Sequence, residues 1–280
     1  MTDVKTNSLL SINLVDELFD ANKSNDYHLS ILRSASGFAF AILDTKKNKY
    51  LALQDAPTLI EVIDLILQLP LGRGATVSCS VAHNKFTLIP SSLFDDENKK
   101  SLLGFNHEIK AEEEIFSNTL HNLEAKNIFT VSKSLVAEIR RQFPNANFIH
   151  SSTSFMEGLL VEHKNNSGKK VFANFYSDYF ELVILEGKEL LFSNAFRHTT
   201  PEEIAYYILF VYEQLNLNPE TIELILSGEI EKIENEFALL YTYIRNVKFA
   251  TRPDGFKYSY KFEEIPSHKF FSLFTQYLCA

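Results

Sequence analysis

HLSILRSASGFAFAILDTKKNKYLAL, residues 28–53, and VFANFYSDYFELVILEGKELLFSNAF, residues 171–196, decide how this chain of 280 residues folds. Each holds three apolar segments separated by two turns. In the first, His28–Arg33 and Phe38–Leu43 flank the turn Ser34–Gly37, and Asp44–Lys49 turns again before Tyr50–Leu53. In the second, Val171–Tyr176 and Tyr179–Leu185 flank Ser177 and Asp178, and Glu186–Glu189 turns at Gly187 into Leu190–Phe196. Turns this short join antiparallel neighbours, so each stretch reads as three antiparallel strands.

A helix and a further strand follow each trio. The first helix opens near Pro57 with Asp55 as its cap and carries Leu59, Val62, Ile63, Ile66 and Leu67 at helical spacing. Gly72-Arg73-Gly74 then reads as a turn, because it precedes the strand Thr76–Val81 instead of opening a helix. The second helix opens on Thr200-Pro201-Glu202-Glu203, a cap, a proline at the first helical position and an acid at the third, and leads to the strand Ile222–Leu226. Pro57 and Pro201 stand 144 residues apart, and Thr76 and Thr221 stand 145 apart, so one plan recurs at one offset. A strand reached through a helix lies parallel in the same sheet, which gives two mixed sheets flanked by helices.

The first unit continues with a strand at Ile128–Val131, a helix from Ser132 to about Phe143 stopped by Pro144, a strand near Asn147–Ile149 and a helix from about Ser152 to Val161. The expected layout is an N-terminal extension over 1–27, a first half over 28–163 with an insertion at about 85–126, and a second half over 169–280 joined by the polar segment His163–Lys170. In the second half, Phe256–Phe262 alternates aromatic and polar residues as a half-buried edge strand does. Ser267–Cys279 carries Phe270, Phe271, Phe274 and Leu278 as an amphipathic helix.

Composition removes several function classes. With 45% apolar and 22% charged residues the chain is neither collagen-like, disordered nor a disulfide scaffold. A net charge of −9 argues against global attraction to nucleic acid or to an anionic membrane. One basic and aromatic stretch, from Arg245 through Lys248, Arg252 and Lys257 to Lys261, has a nucleic-acid flavour that its alternation assigns to an edge strand instead. Cys79 and Cys279 have no metal-binding spacing, which fits a reducing compartment. Met1–Leu10 lacks the apolar run of a signal peptide, and Ile204–Tyr212 falls well short of the ~20 residues that span a bilayer, so a cytoplasmic protein is expected. There is no HExxH, GxSxG, Walker loop or GxGxxG. Nine glycines in 280 residues are under half the usual share of roughly 7%.

The twice-repeated β-β-β-α-β-α plan resembles the actin, sugar kinase and Hsp70 ATPase fold, which implies duplicated actin-like ATPase (ribonuclease H-like) α/β domains with mixed five-stranded sheets flanked by helices. The segments HLSILRSASGFAFAIL (28–43), PSSLFDDENKKSLLGFN (90–106) and VFANFYSDYFELVILEGKELLFSN (171–194) are similar to a bacterial domain of unknown function, family 3822, with that fold. In active ATPases of this superfamily, two hairpin turns hold the nucleotide phosphates, and an aspartate near the first strand of each half handles magnesium or the attacking water. The resemblance therefore points to Ser34, Ser36 and Gly37 in the first turn, Asn174, Ser177 and Asp178 around the second, and Ser227 and Gly228 at the adenosine-side turn as cofactor-binding positions. The chain departs from that pattern at each place. The strand leading to Ser34 holds no carboxylate, Asn174 stands where aspartate is expected, Phe175 and Tyr176 replace small residues, and Gly228 is single where the motif has a pair. Polyphosphate needs close backbone amides and a carboxylate to hold its metal. The expected function is thus a non-catalytic binding or scaffold protein with a degenerate nucleotide cleft and no cofactor, its partner a protein or small ligand, with a homodimer left open. An active ATPase or phosphotransferase using ATP with Mg²⁺ is the alternative.

Overall fold

The computed structural model describes residues 12–69, 71–72, 74–232 and 235–280. The expectations for Met1–Leu10 and for Arg73 lie outside these residues. In chain order the first part comprises β1 (Asn13–Val15), β2 (Tyr27–Ser34), β3 (Gly37–Asp44), β4 (Lys49–Ala56), α1 (Leu59–Gln68), β5 (Thr76–Val81), β6 (Phe86–Pro90), α2 (Lys99–Gly104), β7 (Glu113–Leu120), β8 (Ala125–Ser132), α3 (Lys133–Gln142), β9 (Asn147–His150) and α4 (Ser151–His163). The second comprises β10 (Lys169–Phe175), β11 (Tyr179–Glu186), β12 (Glu189–Arg197), α5 (Pro201–Gln214), β13 (Leu224–Gly228), α6 (Asn235–Tyr243), β14 (Val247–Phe249), β15 (Lys257–Tyr258) and α7 (Phe271–Thr275).

Two sheets repeat one topology. The order β4-β3-β2-β5-β9 in the first matches β12-β11-β10-β13-β14 in the second. In each, the leading three strands are antiparallel and the two reached through helices are parallel. β1 and β15 both add to β4 at the edge of the first sheet.

The hydrophobic cores explain the layering. Ile31, Phe40 and Ile42 of the first sheet bury one face against Val62, Ile63 and Ile66 of α1 and Val136 and Ile139 of α3. Phe180, Leu182 and Ile184 of the second sheet pack against Ile204 and Ile208 of α5 and Leu240 of α6. The inner faces meet around α4 and α7, where Phe155 and Leu159 join Phe172, Val183 and Phe271, and Tyr50 and Leu53 join Tyr176, Leu273 and Phe274. Residues 151–160 of α4 are all buried, as befits a helix enclosed on every side.

Four expectations are corrected. Asp55 does not cap α1; its carboxylate accepts the Ile12 amide at 2.6 Å, and the cap is Thr58, whose hydroxyl accepts from the Glu61 amide at 3.3 Å. Ile128–Val131 lies in β8, the middle strand of a separate three-stranded sheet ordered β6-β8-β7, because its pairing partners come from the inserted segment. The alternation of Phe256–Phe262 is not one strand. Only Lys257 and Tyr258 pair with β4, and Tyr260–Glu264 forms a 3₁₀ turn started by the Ser259 hydroxyl. Nor is the last helix amphipathic, since every residue from Phe271 to Gln276 is buried. Gln276 reaches into the first sheet, donating to the Ser78 hydroxyl at 2.7 Å and to the Ile31 carbonyl at 3.3 Å, and accepting from the Ser80 hydroxyl at 2.8 Å.

The start of α5 follows its sequence closely. Thr200 Oγ1 accepts the Glu203 amide at 3.4 Å, while the Glu203 carboxylate accepts the Thr199 amide at 2.6 Å. Thr200→Ala is expected to destabilise the protein by about 1 kcal/mol. Urea unfolding checks it, and an unchanged midpoint would show that Pro201 and Glu203 suffice to hold the helix start.

Candidate functional site: the cleft between the two sheets

The sequence-derived positions lie on the β2–β3 hairpin, the β10–β11 hairpin and the end of β13, which hydrogen bonds join. The structure joins them in two groups. Ser34 and Ser36 share a hydrogen bond at 2.7 Å across their turn, and the Ser36 hydroxyl donates to Glu229 Oε1 at 2.6 Å. This links the first half to the residue just beyond β13. Glu229 keeps part of its surface in solvent, yet the packing around it and the nearby Asp178 charge raise its carboxyl, against the Ser36 hydroxyl and Lys269, which lower it.

The second group is buried. Ser227 donates to Asn174 Oδ1 at 2.9 Å, and Asn174 Nδ2 donates to the Ser272 hydroxyl of α7 at 3.3 Å. Ser227 is therefore a residue of β13, and its hydroxyl is spent on the neighbouring strand. Tyr176 is buried, stacks on Tyr179 with ring centroids 4.7 Å apart, and lies 3.5 Å from Ser272. Ser177 and Asp178 form the exposed tip of the hairpin, closed by the Tyr176 amide donating to the Tyr179 carbonyl at 2.9 Å.

The backbone here is also committed. The Gly228 amide donates to the His268 carbonyl at 3.0 Å, and the Glu229 amide donates to the Phe175 carbonyl at 2.8 Å. Gly228 has φ +85, and a Cβ there would overlap Phe175 O and Phe175 N, so the close approach of β13 to β10 requires glycine. The described part of the next helix begins only at Asn235, and residues 233 and 234 lie outside the described residues. Gly37 has φ +135, and a Cβ would press on the Ala56 carbonyl, so its role is to let the hairpin sit against β4.

One buried group was missed. Glu181 in β11 is 1% exposed, receives the Tyr179 hydroxyl at 3.4 Å and the Ser151 hydroxyl at 3.5 Å on Oε1, and leaves Oε2 without a partner. Burial pushes its carboxyl up to about 8. The available signal was a lone acid within the otherwise apolar run Tyr179–Leu185.

The basic and aromatic stretch forms no continuous cationic face. Arg245 meets Glu220 at 3.6 Å, Lys248 pairs with Glu223, Lys261 meets Glu17 at 2.8 Å, and Arg252 donates to the carbonyls of Phe262 and Ile265. Among the described residues no helix is long and apolar enough to cross a membrane, and no group of three or more His, Cys, Asp or Glu is arranged to hold a metal ion.

Comparison with known proteins places this geometry. A crystal structure from Bacteroides thetaiotaomicron, described as a protein with actin-like ATPase fold and unknown function, is similar at 28% identity and a TM-score of 0.74, covering 82% of this chain and 93% of that one. A structure of the PilM–PilN type IV pilus biogenesis complex shares the fold at 13% identity and a TM-score of 0.57, covering 90% and 97%. No curated protein matches. The family model described as protein of unknown function (DUF3822) matches residues 16–247. With its two like-ordered sheets, its central helix pair and that match, the chain belongs to the DUF3822 family and has the actin-like ATPase fold.

Proposed function

We propose that this protein is a non-catalytic member of the actin-like fold, a cytoplasmic binding or scaffold protein whose nucleotide cleft is degenerate. The observation that carries the reading is the use of the cleft's own donors by the chain itself. The amides of Gly228 and Glu229 serve the carbonyls of His268 and Phe175, and the Ser36 hydroxyl serves Glu229. Triphosphate would have to displace these bonds, approach the Glu229 carboxylate and pass Tyr176, and no carboxylate stands within β2 to hold its magnesium ion. The residues present do not fit ATP with Mg²⁺.

The PilM chain, which shares the fold, is found in complex with PilN, and a protein partner is the kind of occupant proposed here. A second reading, a working ATPase, draws on Asp178 and Glu229, whose charges sense each other at the rim. Isothermal titration with ATP and Mg²⁺ separates the two. No binding at millimolar nucleotide is expected; saturable binding with turnover that Asn174→Ala or Asp178→Ala abolishes would overturn the proposal.

A further inference from the structure

β12 ends the second sheet, and among the described residues its only backbone partner is β11. It is nine residues long, ELLFSNAFR, with charges only at its ends. Among the described residues every other sheet edge is short or carries a proline or paired acids, whereas β12 has only a bulge at Leu191. β1, β9 and β14 have three or four residues, β6 finishes in Pro90, and β7 begins with Glu113 and Glu114. Long edges without lysine, proline or a mid-strand charge are the ones that pair with other chains.

The apolar surface continues from this edge onto α5. Phe192 and Phe196 stack at 6.4 Å, Phe196 stacks on Tyr207 at 4.9 Å, and Tyr207 meets Tyr206, which stacks on Phe210 at 6.0 Å. Tyr206 is 63% exposed and Phe210 44%. An aromatic patch of this kind, flanking an open edge, marks an interaction surface.

We infer that β12 pairs antiparallel with β12 of a second copy of this chain, joining the two five-stranded sheets into one. The charges choose the occupant. A two-fold axis through Ser193 sets Phe192 opposite Asn194 and, past the bulge that β12 makes at Leu191 against β11, brings Glu189 toward Arg197 of the other copy at both ends of the ladder. Opposite charges then meet with nothing left like against like. Within one chain Glu189 has no ion-pair partner among the described residues, and Arg197 reaches only Asn84 Oδ1 at 3.2 Å. The Asn194 side chain, which accepts the Ala195 amide at 2.9 Å, turns aside as the strands pair. Tyr206 and Phe210 of each copy flank the joint.

The test is the mass of the full chain by size-exclusion chromatography with light scattering at tens of micromolar. Twice the 32.1 kDa of the monomer is expected. Glu189→Arg and Arg197→Glu each place like charges opposite at both ends and are expected to weaken the dimer roughly tenfold, while the double exchange restores it. A monomeric wild type, or a double exchange no better than the singles while all remain folded by circular dichroism, overturns the inference. Ser193→Cys in a Cys279→Ser background gives an independent readout, since only the stated register brings residue 193 against itself. Mild oxidation should yield a disulfide dimer there and none for Leu191→Cys; equal cross-linking at both positions rejects the register.

Discussion

Glu181→Gln is expected to unfold at a clearly higher temperature than the wild type above pH 8, and at nearly the same temperature at about pH 5. Glu181 sits inside the central layer with one oxygen unpartnered, and burial pushes its carboxyl from the ordinary 4.5 to about 8. The fold therefore holds its proton more tightly than the unfolded chain does. Below pH 4.5 both states are protonated and nothing is lost; as pH rises through about 8 the fold must accept a buried anion, and stability falls. A shift of this size corresponds to on the order of 4 kcal/mol by pH 9, or roughly 10 °C in Tm for a chain of this length. Glutamine keeps the shape and never ionises, so it removes that alkaline arm.

His28 acts in the opposite sense. Its ring nitrogens lie 2.8 Å from the hydroxyls of Thr76 and Ser78, and burial pushes it down to about 4, so its stabilising neutrality is complete above 6.5 and is lost as pH falls toward 4. The wild type should be most stable between these two arms, at about pH 6. Differential scanning calorimetry of both proteins from pH 5 to 9 reads the difference, and parallel Tm profiles would falsify the assignment.

Gly158→Ala is the second large effect, and its direction runs against helix propensity. Alanine ordinarily stabilises a helix interior by about 1 kcal/mol over glycine. In α4, however, a Cβ at residue 158 would overlap Thr275 Cγ2 and come within 2.8 Å of Phe271 Cε1 and 2.9 Å of Thr275 Cβ. Glycine is what lets α4 and α7 touch, and the contact is fixed by Thr275 Oγ1 donating to the Ser154 carbonyl at 2.8 Å. Forcing the helices apart strains a layer that both sheets pack on, with an expected net loss of about 2 kcal/mol. Thr275→Ser removes the clashing methyl and keeps the hydroxyl, so it should recover much of the loss in the Gly158→Ala background while costing stability alone. Chemical denaturation of the four proteins measures the coupling. A Gly158→Ala variant more stable than wild type would mean that the helices adjust freely.

The local signals in the sequence were read well where the answer is local. Thr200-Pro201-Glu202-Glu203 contains its own cap and first turn, and α5 begins where those residues say. The paired hairpins and their helix-linked fourth strands were legible because turn chemistry and periodicity act over a few residues. Errors fell where a distant segment decided the outcome. Asp55 looked like a cap, but the Ile12 amide, 43 residues away, holds its carboxylate. Ile128–Val131 reads as a strand beyond the insertion at about 85–126 and pairs instead with the insertion on both sides. Of the eight candidate site residues, Ser34, Ser36, Asn174 and Ser227 do engage across the cleft region, but nothing in their spacing announced that Glu229 and Ser272 would be their partners. Glu181 was visible as a lone acid, and its burial was not, because burial depends on α4 closing over it.

Gln276 gives the molecule a direction in time. A chain leaves the ribosome from its N-terminus, so β2 and β5 emerge long before residue 276, which satisfies Ser78 and Ser80 in the middle of their sheet. Until then Ser78 has only His28 and Ser80 only the Ile31 carbonyl, and the inner face of that sheet lacks its last cover. A portion made early is thus completed late, and the nascent chain must hold that surface open until residue 276 has emerged.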